Sequence, residues 1–252
     1  MSMVSVVLIG TGNVATQLFD TFLAYNTINV VQVVGRSKKS LAHFATKTET
    51  TEALETIKKA DVYIISVSDD AIQPLAKQLV HLNGLVVHTS GSVPVTALSE
   101  VRNYGVFYPL QTFTKGKKLN FRTIPICLET SKNEDLKILH FIAETISDVV
   151  YDISTEQRQS LHLAAVFVNN FTNYMYRIGQ EICEENKVSF EILKPLIQET
   201  ALKINALTPL EAQTGPAMRN DIQTMQAHLE QLTSKNNQKI YKLLSESIQK
   251  KI

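Results

Sequence analysis

The stretch MVSVVLIGTGNVATQLFDTFLAY, residues 3–25, places an apolar run, a glycine-containing loop and a helical pattern in immediate succession. Gly10, Gly12 and Ala15 form the pattern G-x-G-x-x-A. The glycines permit a tight turn and close approach of a pyrophosphate, and the small alanine lets the helix pack closely on the strand. The start of the helix offers unpaired N–H groups to phosphates. We therefore predict a dinucleotide-binding loop formed by Gly10, Thr11, Gly12, Asn13, Val14 and Ala15. The alternative is a glycine turn that binds nothing.

The next apolar run, residues 29–34, ends at Gly35, Arg36 and Ser37. A site for NAD usually places Asp or Glu here to hold the ribose 2′-hydroxyl, and such a carboxylate would repel a 2′-phosphate. Arg36 instead supplies a forked cation, and Ser37 supplies a hydroxyl group, with two lysines directly after them. The local chemistry favours NADP(H) as the cofactor. The alternative is a solvated basic loop.

Two further apolar runs end in small polar residues. Because ligands gather at the carboxyl ends of parallel strands, we expect both ends to border the cofactor. The predicted contacts to ribose and nicotinamide are Ser66, Val67, Ser68, Thr89, Ser90 and Gly91. Ser68 or Asp69 has an alternative role as the cap of the following helix.

The order of elements predicts an α/β fold, with a doubly wound, mostly parallel Rossmann sheet in residues 1–153. Apolar, strand-like runs lie at 3–9, 29–34, 61–67, 84–88, 105–108, 123–128 and 148–152. Helical stretches between them lie at 13–25, 39–46, 52–58, 70–80 and 133–146. Strand signals then disappear, which predicts an all-α domain over residues 154–252. Its expected helices lie at 155–186, 189–205, 217–232 and 235–249.

The helix predicted at 155–186 is apolar nearly all round, so we expect it to be the buried centre of the second domain. His162, Asn169 and Asn173 fall within about 40° of one another on an ideal α-helix. Such polar residues fit a substrate pocket, a structural hydrogen-bonded cluster or a subunit interface. We predict His162 and Asn169 as catalytic residues, and Tyr108, Gln111 and Asn173 as residues of the substrate pocket. Arg219 and Asp221 are either surface residues or contacts across a dimer.

The composition excludes several classes of protein. The 252 residues carry a formal net charge of +1, so no global field attracts nucleic acid or an anionic membrane. Cys127 and Cys183 lack metal-ligand spacing, and we expect two reduced thiols and no metal site. The first residues lack a basic segment and a cleavage site, and the apolar run is too short to span a membrane, which predicts a cytoplasmic protein. The apolar helix predicts a homodimer formed through the helical domain.

Seven motifs together resemble one family: GTGNVA, VVGRS, ADVYIISVSDDAI, HTSGS, YPLQTF, HLAAVFVNN and TGPAMRND. The sequence resembles Rossmann-like NADP oxidoreductases that carry a helical C-terminal domain of unknown function. These are similar to pyrroline-5-carboxylate reductase and, more distantly, to the 6-phosphogluconate and β-hydroxyacid dehydrogenases. The resemblance implies a helical domain that often dimerises and NADP(H) bound at Gly10, Gly12, Asn13, Val14, Arg36 and Ser37. It implies no particular substrate.

The sequence departs from these relatives in two places. The β-hydroxyacid dehydrogenases use a Lys with an Asn four residues later on the corresponding helix, where this chain has His162 and Val166. The substrate loop G-S-G-P-A of pyrroline-5-carboxylate reductase is also absent, and TGPA at 214–217 lies too late in the chain to replace it.

Three functional hypotheses follow from these patterns. The first is an NADP(H)-dependent oxidoreductase that transfers hydride between nicotinamide and a small carbonyl, alcohol or imine metabolite, with His162 exchanging the proton. The second is a non-catalytic NADP(H)-binding sensor or partner-binding protein, suggested by the missing Lys-x-x-x-Asn pair. The third is hydride exchange between NADP and a deazaflavin.

Overall fold

A computed structural model describes residues 3–250 of the chain and contains an eight-stranded sheet in the order β3-β2-β1-β4-β5-β6-β7-β8. The first four strands are β1 Val4–Ile9, β2 Ile28–Val34, β3 Glu49–Thr51 and β4 Val62–Ile65. The other four are β5 Leu85–His88, β6 Tyr104–Pro109, β7 Ile126–Thr130 and β8 Val150–Asp152. The β6–β7 pair is antiparallel, and the other neighbouring strands are parallel. The predicted doubly wound, mostly parallel sheet is confirmed.

Helices cover both faces of this sheet, and two cores separate them from it. The helices are α1 Asn13–Phe22, α2 Lys38–Leu41, α3 Asp69–Ala76, α4 Leu136–Ile146 and α5 Thr155–Ala165. Side chains of α1 and α4 enter one core together with Val6 and Leu8 of β1. Side chains of α3 enter the other core together with Val7 and Ile9. Successive side chains of β1 therefore serve opposite cores, which explains its continuous apolar run.

The predicted helix at 52–58 is wrong. The chain forms β3 just before it, and then only a short 3₁₀ turn at Leu54–Thr56. The Thr51 hydroxyl accepts a hydrogen bond from the Ala53 amide at 3.1 Å, and the Thr56 hydroxyl donates to the Ala53 carbonyl at 3.0 Å. Threonine side chains that bind nearby backbone compete with the helical bonding pattern, and here they stabilise a turn.

The chain divides into two compact units, the first ending at Phe167 and the second beginning at Val168. This division comes later than the predicted boundary after residue 153, because Arg158 and His162 of α5 contact residues of the first unit. A π-helical turn, Val166–Phe171, follows α5. Four further helices are α6 Thr172–Glu185, α7 Lys194–Leu202, α8 Ile222–Gln231 and α9 Lys235–Gln249. The domain boundary at residue 153 stays a prediction.

The helix predicted as a buried centre is largely exposed in the single chain, so this expectation is wrong. Leu163 is 60% exposed and Val168 is 74% exposed. Apolar side chains lie on several sides of this helical segment, and the other elements of the single chain leave part of them exposed. No helix within residues 3–250 combines the length and apolarity needed to cross a membrane.

Candidate functional site

The loop after β1 has the backbone geometry that the glycine pattern predicts. Gly10 has a φ of +123°, and a Cβ atom there would lie 2.1 Å from the Ser66 carbonyl oxygen, so only glycine fits. Gly12 is the N-cap of α1, and a Cβ atom there would have nothing within 4 Å. No side chain caps α1, so the first N–H groups of the helix stay available to an anionic ligand beside an open space.

The other loop residues hold this geometry in place. Ala15 is buried, and Val14 packs against the core, so the start of α1 lies close to the sheet. The Asn13 side-chain amide donates to the Phe113 carbonyl at 2.9 Å. A Cβ atom at Gly35 would lie 2.6 Å from Cγ2 of Thr11, so the ends of β1 and β2 meet closely.

Arg36 and Ser37 lie where the chain leaves β2. The Ser37 hydroxyl accepts from the Ser40 amide at 3.3 Å and so caps the short helix α2. Arg36 is exposed, and no hydrogen-bond or ion-pair partner is assigned to it within the described part of the chain. Its guanidinium group therefore has all its donors available for an anion.

The ends of β4 and β5 meet beside the glycine loop, as predicted. The Thr89 hydroxyl lies 3.3 Å from the Ile65 carbonyl and 3.4 Å from the Ser66 hydroxyl. Ser68 is the N-cap of α3 but makes no side-chain capping bond, and Val67 packs beside the second core. The Asp69 carboxylate instead accepts a hydrogen bond from Ser92.

Tyr108 and His162 form a hydrogen-bonded pair against the segment HTSGS, residues 88–92. Tyr108 Oη lies 3.1 Å from His162 Nδ1, and the rings meet edge to face with centroids 6.1 Å apart. A Cβ atom on Gly91 would lie 2.5 Å from His162 Nδ1 and 2.8 Å from Tyr108 Cζ, so the pair packs directly on this glycine.

Tyr108 is the more deeply buried member of this pair. Burial raises the pKa of Tyr108 to about 12, with a further contribution from Cys127. The hydroxyl group therefore stays protonated at neutral pH. Its hydrogen bond with Nδ1 holds the imidazole ring in one orientation and leaves Nε2 as the ring nitrogen outside the pair.

Arg158, which is not among the residues predicted from sequence, holds the HTSGS segment in place through its backbone carbonyls. The buried guanidinium donates from Nη1 to the carbonyls of Ser90 at 3.0 Å, Gly91 at 3.2 Å and Val93 at 2.7 Å. Its Nη2 donates to Glu129 Oε2 at 3.1 Å and to the Thr155 hydroxyl at 3.2 Å. One helix turn separates Arg158 from His162, so the same helix positions both the loop and the histidine.

His88 is a second buried group at this edge. Burial, assisted by the nearby Arg158 charge, lowers its pKa to about 4, so the ring is neutral at pH 7. Its Nδ1 accepts from the Ser90 amide at 3.2 Å. His88 thereby stabilises the turn that precedes Gly91, which gives this histidine a structural part in the site.

The remaining predicted residues make other contacts or belong to the second unit. Gln111 is exposed, and its side-chain oxygen accepts from the Thr112 amide at 2.8 Å. Asn169 and Asn173 are exposed residues of the second unit. Asp221 caps α8 by accepting from the Thr224 amide at 3.0 Å, and bonding to Thr224 lowers its pKa. Arg219 is exposed.

Within residues 3–250, no group of three or more His, Cys, Asp or Glu side chains is arranged to hold a metal ion. Cys127 and Cys183 are free, and Cys127 is buried.

Comparison with known proteins gives matches to both halves of the chain. Residues 5–89 match the family described as NADP oxidoreductase, coenzyme F420-dependent, and residues 124–248 match a domain of unknown function, DUF2520. No curated protein matches.

Solved structures match over nearly the whole length. A candidate NADP oxidoreductase from Bacteroides fragilis is 41% identical, with a TM-score of 0.90 and 98% of each chain covered. A Thermotoga maritima protein is 21% identical, with a TM-score of 0.73 and 97% of each chain covered. A pyrroline-5-carboxylate reductase from Coxiella burnetii is 16% identical, with a TM-score of 0.61, covering 99% of this chain and 97% of its own. The last two likenesses concern the fold alone.

Proposed function

This chain belongs to the family of Rossmann-like NADP oxidoreductases with a DUF2520 C-terminal domain, and on that premise we propose that it reduces or oxidises a small metabolite. The reaction is hydride transfer between NADP(H) and a carbonyl, alcohol or imine carbon. When bound, NADP(H) supplies or accepts the hydride at its nicotinamide ring. The supporting observation is that the open glycine loop and the Tyr108–His162 pair both lie at the carboxyl ends of the parallel strands.

The residues of the sheet edge fit such a cofactor. The N–H groups at the start of α1 and the space beside Gly12 suit the pyrophosphate. Arg36, together with the Ser37 hydroxyl, suits the 2′-phosphate, because a guanidinium group binds phosphate oxygens in a bidentate manner. The small residues at the ends of β4 and β5 would contact the ribose and nicotinamide; they are Ser66, Val67, Ser68, Thr89, Ser90 and Gly91.

We assign the proton transfer to His162. In the reducing direction the substrate carbon gains hydride, and the imidazolium form of His162 gives a proton from Nε2 to the carbonyl oxygen or imine nitrogen and is left as neutral imidazole. Tyr108 holds the imidazole ring through Nδ1, and Arg158 holds the Gly91 backbone on which the pair packs. In the oxidising direction the neutral imidazole accepts the proton at Nε2 as the substrate carbon gives up hydride. Asn169 stays a prediction as a catalytic residue, and Gln111 and Asn173 stay predictions as residues of the substrate pocket.

A calorimetric titration with NADPH and NADH tests the cofactor assignment. We expect at least tenfold tighter binding of NADPH, about 1.4 kcal/mol, and loss of that preference in Arg36→Ala. The matched control is Arg102→Ala. Arg102 is exposed and lies just before β6, at the amino ends of the parallel strands and so away from the proposed cofactor site. Equal binding of both nucleotides, or the same loss in the control, would contradict the role of Arg36.

A substrate screen with NADPH tests the catalytic assignment. His162→Ala should bind NADPH as the natural chain does and lose turnover by about 10²–10⁴-fold. Full turnover in this variant would remove His162 from the mechanism.

A second candidate function is supported by the departure at positions 162 and 166, where His and Val replace the Lys and Asn of the β-hydroxyacid dehydrogenases. In this alternative the protein binds NADP(H) and signals its redox state without turnover. Different affinities for NADPH and NADP⁺, with no turnover across carbonyl and imine panels, would support it. The substrate screen should also include a deazaflavin, because the family matched by residues 5–89 is described as coenzyme F420-dependent.

We also propose that a second copy of the chain covers the apolar surface of the second unit. Leu196 and Leu243 are 62% and 65% exposed there. Covering such side chains in a self-complementary interface buries apolar area at both copies. Light scattering should give twice the chain mass of 28.2 kDa. Leu196→Lys or Leu243→Lys should shift the mass towards one chain, whereas Leu23→Lys, an exposed leucine of the first unit, should not. A single-chain mass for the natural protein would contradict this proposal.

A further inference from the structure

A cavity of about 1050 Å³ lies along the flank of α1, between α2 and the segment 114–122. Thr11 and Asn13 line it at the start of α1, and Ala24 and Tyr25 line it beyond the end of that helix. The cavity therefore extends over the whole length of α1, on the order of 15 Å for ten residues. Its volume is in the range of sites that enclose small molecules.

This cavity is separate from the proposed path of the dinucleotide. The two share Thr11 and Asn13, at the N-terminal end of α1, and Lys39, one of the two lysines that follow Ser37. The residues proposed for the 2′-phosphate, ribose and nicotinamide do not line it; these are Arg36, Ser37, Ser66, Ser68, Thr89 and Ser90. A dinucleotide that follows the strand ends would leave most of the cavity open.

The lining is strongly cationic. Lys39, Lys47, Lys115 and Lys118 all line it, and none of them has an ion-pair partner assigned within residues 3–250. The acidic side chain in the lining, Asp20, is engaged by His43 at 2.8 Å. Four lysines line this one space although the whole chain has a net charge of only +1, so the positive charge is a local feature.

Two hydrogen bonds fix the segment that carries two of these lysines. The side chain of Asn13 donates to the Phe113 carbonyl at 2.9 Å, and that of Gln17 donates to the Lys117 carbonyl at 2.8 Å. Both donors belong to α1, so the segment from 113 to 118 is held against this helix. Lys115 and Lys118 lie on the cavity side, whereas the side chain of Lys117 does not line it.

We propose that this cavity binds a small polyanion, a metabolite that carries two or more phosphate groups, in addition to the dinucleotide. Lysine ammonium groups bind phosphate as point charges, and four of them around one concave space match several phosphates better than a single carboxylate. Buried Phe44 and Phe121 also line the space and offer an apolar contact for the body of such a ligand. The site lies outside the hydride-transfer machinery, so its role is separate from the proposed reaction.

Calorimetry on the full chain, saturated with NADPH, tests this proposal with tripolyphosphate as the probe. We expect one equivalent to bind, with at least tenfold weaker binding in the double variant Lys115→Gln/Lys118→Gln. Lys117→Gln is the matched control, because it removes the same charge from the same segment without altering the lining. Unfolding midpoints of all three proteins should agree, since these side chains are exposed.

Three results would overturn the proposal. One is the absence of saturable binding by the NADPH-saturated chain. Another is an equal loss in Lys117→Gln, which would indicate general attraction to a basic segment. The third is loss of tripolyphosphate binding in Arg36→Ala, which would place the probe in the dinucleotide site. If NADPH itself fails to bind, the same variants of the ligand-free chain still decide this question independently of the proposed function.

Discussion

The two compact units differ in how far their apolar side chains are buried. In the first unit, the side chains of β1, β4 and β5 are buried between two helical layers. Among the described residues of the second unit, only Ala212, Ala217 and Met225 are buried apolar residues, while large side chains such as Leu196 and Leu243 are exposed. The first unit therefore carries its own hydrophobic stabilisation, whereas the second leaves much apolar surface for another molecule to cover.

The largest expected effect comes from breaking the buried polar network of the first unit. Arg158→Met leaves Glu129 without its buried cation and several carbonyls without a donor, so the free energy of unfolding should fall by about 3–5 kcal/mol. Urea unfolding followed by circular dichroism measures this, because the chain contains no Trp.

Arg177→Met in the second unit is the matched control for that measurement. Arg177 also pairs with a glutamate, Glu181 at 2.8 Å, but its side chain is 70% exposed whereas that of Arg158 is 0% exposed. Its urea midpoint should not change, because exposed pairs contribute little. Equal effects of the two substitutions would contradict the difference between the units.

A pair of glycine substitutions tests the same difference between the two units, with smaller expected changes in the free energy of unfolding. Gly91→Ala forces a Cβ atom against His162 and Tyr108 and should destabilise the first unit by about 1–3 kcal/mol while separating this pair. A Cβ atom on Gly179 in α6 would make an ordinary contact, 3.8 Å from Phe190 Cε2, so Gly179→Ala should stabilise that helix by about 0.5–1 kcal/mol. The two substitutions should shift the unfolding midpoint in opposite directions. Shifts in the same direction would contradict the packing described at Gly91.

A dependence of the first unit on pH is a further expected effect. His88 has a pKa of about 4 when folded and 6.5 ordinarily, so the unfolded chain binds the proton first as the pH falls. Stability should therefore be complete above pH 6.5 and decline towards pH 4, by roughly 1–2 kcal/mol at pH 5. His88→Gln should lose less stability than the natural chain between pH 7.5 and 5 in urea titrations. Identical losses would indicate that His88 does not titrate in this way.

His140 acts in the opposite direction, and its range lies above the ordinary histidine pKa of 6.5 rather than below it. Burial opposes protonation of its ring, but hydrogen bonds to Asp152 and Glu144 outweigh it and raise the pKa. Its contribution to stability is present at low pH and is lost as the pH rises through the folded pKa. The His88 effect is therefore read from the difference between His88→Gln and the natural chain, which share His140.

The parts of the molecule that were predictable from sequence are those encoded by neighbouring residues. The glycine loop, the apolar strands and the change to helices after β8 are local patterns, and each was predicted from its own segment. Arg158 could not be identified, because an arginine in the first turns of a helix normally faces solvent and only the folded chain encloses it. The hydrogen bond between Tyr108 and His162 joins residues 54 positions apart, which no local spacing reveals. The lysines that line the cavity along α1 come from segments more than 60 residues apart in sequence, so no local pattern reveals that they line one space.

The contacts of Arg158 also bear on the order in which the molecule folds. They join this residue to carbonyls 65 to 68 positions earlier in the chain. During synthesis all eight strands, which end at Asp152, leave the ribosome before Arg158 does. The HTSGS segment therefore depends on a residue that is synthesised after every strand of the sheet. A nascent chain long enough to contain the whole sheet still lacks the side chain that holds the loop at the proposed site.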